Sequence, residues 1–213
     1  MNALTDKRSD PVDEELKLAP KEDLASIDRA RRVAELLSAG GETHHIAAAL
    51  NYEVKGLHLA WEPAPQLLPA EELRTVFQYW RSLPQQDGLP NVLKVDPEAL
   101  RPALGYIMLI DADDDREHGF RYALYGSKIS AVSGFDLTGK SIWDIPTISA
   151  IQVFFAGCYL AVRRQKRPLY SVHEAPPSIT VSHWHRLILP LAKDGEVQRF
   201  LVCNVPIKED WQR

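Results

Sequence analysis

The sequence predicts an α+β domain built from a five-stranded antiparallel sheet, a helical pocket wall facing it, and an N-terminal helical extension. Residues after Leu104 show two strand patterns, then helical patterns, then three further strand patterns. Residues before Leu104 show amphipathic helical periods broken by glycine and proline. We therefore divide the 213 residues into a mobile tail (1–20), a helical extension with its linker (21–69), the domain (70–207) and a C-terminal tail (208–213).

Three amphipathic periods predict the helices that precede the sheet. The first spans 21–38 and ends at Gly40-Gly41, the second starts after Thr43 and closes at Gly56, and the third spans about 70–82. Their apolar stripes are Leu24, Ile27, Ala34 and Leu37, then Ile46, Leu50 and Val54, then Leu73, Val76, Phe77 and Trp80. Three prolines at 63, 65 and 69 predict a linker that begins near Trp61.

Within the domain, the patterns predict two strands, then helices, then three further strands. The predicted strands are Tyr106–Asp111, Phe120–Tyr125, Leu169–Glu174, His183–Leu191 and Val197–Val205. Turns are predicted at Asp113–Asp115, Pro176-Pro177 and Asp194-Gly195. Between the second and third strands, Gly126 and Gly134 bound a short helix, and 148–164 forms a longer apolar one.

The last two predicted strands are apolar on both faces. A single antiparallel sheet normally alternates an apolar face with a polar one. Here Leu187 and Leu189 lie on one side of their strand, with Trp184 and Ile188 on the other. We therefore expect the outer side of the sheet to be covered, either by the helix at 70–82 or by a second subunit.

Composition excludes several classes of protein. A net charge of −4 provides no general attraction for nucleic acid or anionic membrane. Two cysteines form no disulfide or metal framework, and the acidic N-terminus lacks the apolar core of a secretory signal. The apolar run at 148–162 is shorter than the ~18–20 residues of a membrane span. We therefore predict a cytoplasmic protein with no membrane span. We also predict no nucleic-acid partner, because the basic cluster 163–167 is explained by its place at a helix C-terminus, where positive charge is favourable.

No catalytic motif is present in the sequence. It contains neither a phosphate-binding GxxxxGK[ST] loop nor a GxGxxG turn nor a Gly-x-Ser-x-Gly elbow. Cys158 lies in an apolar helix without a cationic neighbour in sequence, which favours a core residue over a nucleophile. We therefore predict a protein that is not an enzyme.

A series of short motifs follows one particular order between Phe77 and Ile207. They are Trp80-Arg81-Ser82-Leu83, Val95-Asp96-Pro97, Leu100-Arg101-Pro102, Phe120-Arg121-Tyr122, Gly126, Gly134 to Lys140, Arg167-Pro168, Leu189-Pro190-Leu191 and Asp194-Gly195. Their order and spacing resemble a family of stand-alone PAS-like proteins of alphaproteobacteria. The resemblance covers the last two-thirds of the chain and implies a sensory or interaction module of bacterial signalling. It implies nothing about residues 1–62.

The resemblance also raises the question of a cofactor, because PAS-like proteins can hold flavin or haem. The flavin photoreceptor subset carries an Asn-Cys-Arg-Phe motif, and the corresponding stretch 127–140 has no cysteine. The haem-sensing subset takes its ligand from the long helix, and 148–164 has no histidine. Covalent flavin and haem are therefore disfavoured, and the identity of any cofactor is left open.

Three late histidines provide a metal-site alternative. His183 and His185 are two apart on a strand and point to one face, and a turn near 176–179 would place His173 across from His183. Three imidazoles can hold zinc or iron, although no carboxylate is placed to support them. The opposing interpretation is that they are cross-strand partners, with His185 partly exposed at a sheet edge.

The pocket candidates are apolar residues expected to point between sheet and helices, with Arg186 as the single polar anchor. They are Tyr122, Ile129, Val132, Ile142, Phe154, Cys158, Trp184, Arg186 and Ile188. For any single one of them, ordinary core packing is the favoured interpretation. Three hypotheses follow: a module that binds a small molecule or protein partner and relays the event, a scaffold that forms a homodimer or docks partners through the sheet face and N-terminal helices, and a metal-dependent enzyme.

Overall fold

A computed structural model describes residues 23–86, 88–113, 119–175 and 181–207. It confirms the α+β class, with an antiparallel sheet and helices packed on it. The tails predicted at 1–20 and 208–213 lie outside the described residues, as do 114–115 and 176–177 of the predicted turns.

The helices are α1 (Leu24–Ser38), α2 (Thr43–Leu50), α3 (Glu71–Ser82), α4 (Ser127–Ser133) and α5 (Ser149–Gln165). The strands are β1 (His58–Trp61), β2 (Gln85–Gln86), β3 (Leu89–Pro90), β4 (Ile107–Ala112), β5 (Phe120–Tyr125), β6 (Leu169–Glu174), β7 (His183–Lys193) and β8 (Glu196–Ile207). Short 3-10 segments occupy Pro65–Leu67, Val92–Lys94, Glu98–Tyr106 and Ile142–Asp144. All five predicted strands and all five predicted helices are present.

The main sheet has six strands rather than five, in the order β1-β6-β7-β8-β4-β5. The additional strand, β1, comes from the extension: Trp61 pairs with Leu169 and His58 with Val172. Its four residues, His-Leu-Ala-Trp, lack the alternation of polar and apolar side chains that identifies a strand in sequence. Since Trp61 also donates its indole N–H to the Leu37 carbonyl at 3.0 Å, the extension is fixed to both the sheet and α1.

The long helix α5 is buried between the sheet and α1. Asp23 caps α1 by accepting the Ser26 N–H at 2.6 Å, and the apolar stripe of α1 faces α5. Leu24, which was predicted to belong to that stripe, is 80 % exposed. Gly157 allows the close approach of the two helices, because a Cβ there would lie 2.6 Å from Val33 Cγ1. None of the helices in the described ranges is long and apolar enough to cross a membrane.

We call the side of the main sheet that faces α5 the inner face and the opposite side the outer face. The inner face carries Ser171, His173, Trp184, Arg186, Ile188 and Asn204, and the outer face Tyr170, Val172, His185, Leu187, Leu189 and Cys203. The predicted cover of the outer face is α3, whose Trp80 donates its indole N–H to the Pro190 carbonyl at 2.8 Å. Leu187, Leu189 and Cys203 are fully buried within one chain.

Substituting Trp80→Phe should lower the free energy of unfolding by about 1–2 kcal/mol, because the Pro190 carbonyl loses a buried donor. Urea denaturation measures the change. Trp143→Phe is the matched control, since that buried indole N–H has no hydrogen-bond partner among the described residues. Equal losses in the two variants would show that the Trp80 hydrogen bond contributes nothing beyond packing.

Candidate functional site

Strand register brings polar residues together on the inner face. Directly paired residues of antiparallel strands point to the same side of a sheet. Arg186 of β7 pairs with Ser171 of β6 and with Asn204 of β8. His173 pairs with Trp184, which is two residues from Arg186 and on the same side. An arginine, a serine, an asparagine and a histidine therefore share the buried side of the sheet.

Arg186 is held between the sheet and α5. Only 6 % of the residue is exposed. Its Nε donates to Asn204 Oδ1 at 3.5 Å and its Nη1 donates to the Tyr159 hydroxyl at 3.3 Å. The guanidinium carbon lies 3.8 Å from the centre of the Phe155 ring, a close cation–π contact. Contacts from two strands and one helix thus fix the orientation of this charge.

No described residue neutralises the charge of Arg186. In the part of the chain that the structure describes, no carboxylate lies within ion-pair distance of it. Burial raises the pKa of the Tyr122 and Tyr159 phenols, and it raises the pKa of the Cys158 thiol to about 12. These three groups are uncharged at neutral pH. Arginine stays protonated in proteins, so its positive charge is uncompensated within the described ranges.

Two further polar atoms beside Arg186 have no hydrogen bond. Ser171 Oγ and His173 Nδ1 are buried and find no partner among the described residues. The His173 ring packs at 5.5 Å from the ring of Phe155, which also carries the Arg186 contact. Buried polar groups are almost always hydrogen-bonded. Here, in the described part of the chain, an arginine without an acidic partner lies beside a hydroxyl and an imidazole nitrogen without hydrogen bonds, and a single bound group could satisfy more than one of them.

The pKa of His173 falls from 6.5 to about 3, first because of burial and then because of the Arg186 charge, with smaller effects from His185 and His183. Between these values the unfolded chain binds a proton that the folded chain does not, so stability decreases as pH falls below 6.5. We expect a loss of about 1 kcal/mol between pH 6.5 and 5.5 from this group. Urea denaturation of His173→Phe at both pH values should show a pH dependence smaller by that amount; an unchanged dependence would contradict it.

The structure brings some of the predicted pocket residues together and not others. The Tyr122 and Tyr159 phenols are close enough to affect each other's pKa, and the charge of Arg186 acts on the Cys158 thiol. The Phe154 ring centre lies 6.4 Å from that of His173.

The other predicted pocket residues lie on the sheet or in the core. Trp184 and Ile188 are on the inner face beside Arg186, Ile129 and Ile142 are buried in the core, and Val132 is half-buried. Their role as pocket lining stays a prediction.

Sequence reasoning missed four residues of this cluster: Ser171, Asn204, Tyr159 and Phe155. A signal was available for two of them. Ser171 and Asn204 are polar residues with apolar neighbours on both sides in sequence, and each pairs with Arg186 once the register is known. Tyr159 and Phe155 lie in an apolar run in which no residue stands out by type.

The three-histidine arrangement was wrong. His183 pairs with Glu174, not with His173, so His173 lies on the inner face while His183 and His185 lie on the outer face. A register that differs by one residue reverses every side chain of a strand. Across the described ranges, no group of three metal-ligating side chains is found.

His185 is also not at a sheet edge, because β7 is a central strand. It is fully buried, and its Nδ1 lies 2.6 Å from the Tyr170 hydroxyl. Burial, with a contribution from His183, lowers its pKa to about 4.

A family model described as a PAS domain matches residues 69–204, which is more than half of the chain. Comparisons with curated proteins and with solved structures give no match. The matched segment begins two residues before α3 and ends in β8. It therefore contains the outer cover, the sheet strands from β4 onward, α5, and the cluster around Arg186. The motif order, the antiparallel sheet and this match together show that the chain belongs to the PAS domain family.

Proposed function

We propose that this PAS domain is a non-catalytic sensory module of bacterial cytoplasmic signalling, which binds a small molecule between α5 and the inner face. The observation that carries the proposal is the buried Arg186 without an acidic partner among the described residues. A buried unpaired charge costs several kcal/mol and is retained where a ligand completes it. Residues 70–207 form the sensory domain in this proposal.

The extension at 21–69 is the proposed output. One side of α5 presents Phe155 and Tyr159 to Arg186, while Gly157 contacts α1 at Val33 and Ala30. At the start of α5, Ser149 Oγ accepts from Arg29 Nη2 at 3.1 Å. A ligand that shifts α5 would therefore change the packing of α1 directly.

Native mass spectrometry and hydrogen exchange test this function. We expect the purified full chain to carry a small molecule, or to gain thermal stability with members of a metabolite panel. Binding should alter amide exchange in α1 as well as in α5. The absence of any bound molecule and of any thermal shift would contradict the ligand-sensing function.

A docking scaffold without a ligand is the second hypothesis from the sequence. Its predicted surface, the outer face of the sheet, is covered by α3. Docking or homodimer formation would therefore use the N-terminal helices. Light scattering over a range of concentrations distinguishes a monomer from such a dimer.

A further inference from the structure

We infer that the ligand of this PAS domain is a small organic monocarboxylate with an apolar body, whose carboxylate pairs with Arg186 and Ser171. The inference rests on the proposed sensory function and specifies its ligand class. Three properties of the inner face support it: hydrogen-bond donors without partners, an arginine without a negative partner among the described residues, and an apolar lining around both.

Two donors on neighbouring strands are open. The hydrogen bonds of Arg186 to described residues use Nε and Nη1, and Nη2 makes none. Ser171 Oγ, directly across the strand pair, is also without a partner in the described part of the chain. A guanidinium binds a carboxylate through parallel N–H bonds, and a hydroxyl can donate to the same oxygens. A guanidinium and a hydroxyl open side by side are the donor types that bind a planar, two-oxygen anion.

The missing charge is a single negative one. Tyr122, Tyr159, Cys158 and His173 all lie in the field of Arg186, and burial keeps each of them neutral near pH 7. Arg186 is the one arginine or lysine among the charges that shift the pKa of these groups. The two histidines that also lower the pKa of His173, namely His183 and His185, lie on the outer face. A second negative charge on the ligand would lack a counter-ion, which disfavours dicarboxylates and phosphate.

The surroundings are aromatic and aliphatic. Phe155 lies under the guanidinium, Phe154 contacts His173, and Trp184 and Ile188 flank Arg186 on its strand. Such a lining binds an apolar body by excluding water and leaves orientation to the few polar groups. A short fatty acid or an aryl carboxylate has both parts.

Calorimetry with matched pairs of compounds tests the inference. The probes are hexanoate, benzoate and phenylacetate against their primary amides, with succinate and inorganic phosphate as further arms. Any molecule that co-purifies with the full chain is compared with its neutral analogue in the same way. We expect at least one monocarboxylate to bind at least tenfold more tightly than its amide, which cannot form the ion pair.

Variants locate the binding. Arg186→Met should abolish carboxylate binding, and Arg186→Lys should weaken it at least tenfold because an ammonium lacks the fork. Ser171→Ala should weaken it severalfold without unfolding the chain, so the test does not depend on a single variant. Arg199→Met on neighbouring β8 should leave the affinity unchanged.

Each outcome has a distinct meaning. If amides, succinate or phosphate bind as tightly as monocarboxylates, or if binding is indifferent to Arg186 and Ser171, the carboxylate inference fails while a sensory function stands. If no probe binds, nothing co-purifies and no member of the metabolite panel gives a thermal shift, both the inference and the sensory function fail.

Discussion

Substituting Arg186→Met should make the ligand-free protein more stable while removing its response to ligand. The guanidinium is buried without a negative partner among the described residues, and removing such a charge relieves its desolvation cost. Methionine has a similar length and packs well against Phe155. Against this, the hydrogen bonds to Asn204 and Tyr159 are lost. We expect a net gain of about 1–3 kcal/mol in the free energy of unfolding.

The matched control is Arg199→Met, which removes an arginine from the adjacent strand. Arg199 is partly exposed and paired with Asp111, so its loss should change stability by less than about 1 kcal/mol. Urea denaturation without ligand measures both variants. Arg186 would be a structural residue if Arg186→Met were strongly destabilised while Arg199→Met was not. A gain in stability together with a lost ligand response is the pattern of a residue kept for binding.

The fold could be predicted from sequence because its strongest patterns are local. The stripe of α3, the glycine that ends α4 and the doubly apolar strands β7 and β8 each report burial through residue type and spacing. Strand β1 could not be predicted, since it is four residues long and pairs with a strand more than a hundred residues later. It forms only because it pairs with a distant strand, and the residues near it in sequence show no periodic pattern that indicates this pairing.

The candidate site depends on register, and register is the property that sequence specifies least. Arg186 was predicted as the single polar anchor of the pocket, and the structure buries it. Its polar neighbours Ser171 and Asn204 could be identified only from the pairing of β6, β7 and β8. The same uncertainty produced the wrong histidine group, because a shift of one residue moved His173 to the opposite face.

The contact between α1 and α5 joins the proposed site to the proposed output. Gly157 lies between Phe155 and Tyr159, the two α5 residues that contact Arg186. Its missing side chain is what lets Val33 and Ala30 of α1 approach the helix backbone. A rigid helix with a ligand-facing side and an α1-facing side needs no further element to connect them.

Substituting Gly157→Ala should therefore separate α1 from α5. The new Cβ would lie 2.6 Å from Val33 Cγ1 and 3.1 Å from the Ala30 carbonyl oxygen, closer than packed atoms tolerate. The helices must move apart, at a cost of about 2–3 kcal/mol in the free energy of unfolding. Hydrogen exchange should show faster exchange in α1, with the Arg186 end of β7 unaffected, and ligand binding should no longer alter α1.

A double variant separates this clash from the general effect of placing alanine in a helix. Alanine has the higher helix propensity by about 1 kcal/mol, so any loss of stability must come from the contact. Val33→Ala removes the nearest atoms, and the combined variant should be more stable than the sum of the two single losses predicts, by at least about 1 kcal/mol. Strict additivity, or a Gly157→Ala variant that is as stable as the parent and still transmits binding to α1, would show that the relay does not run through this contact.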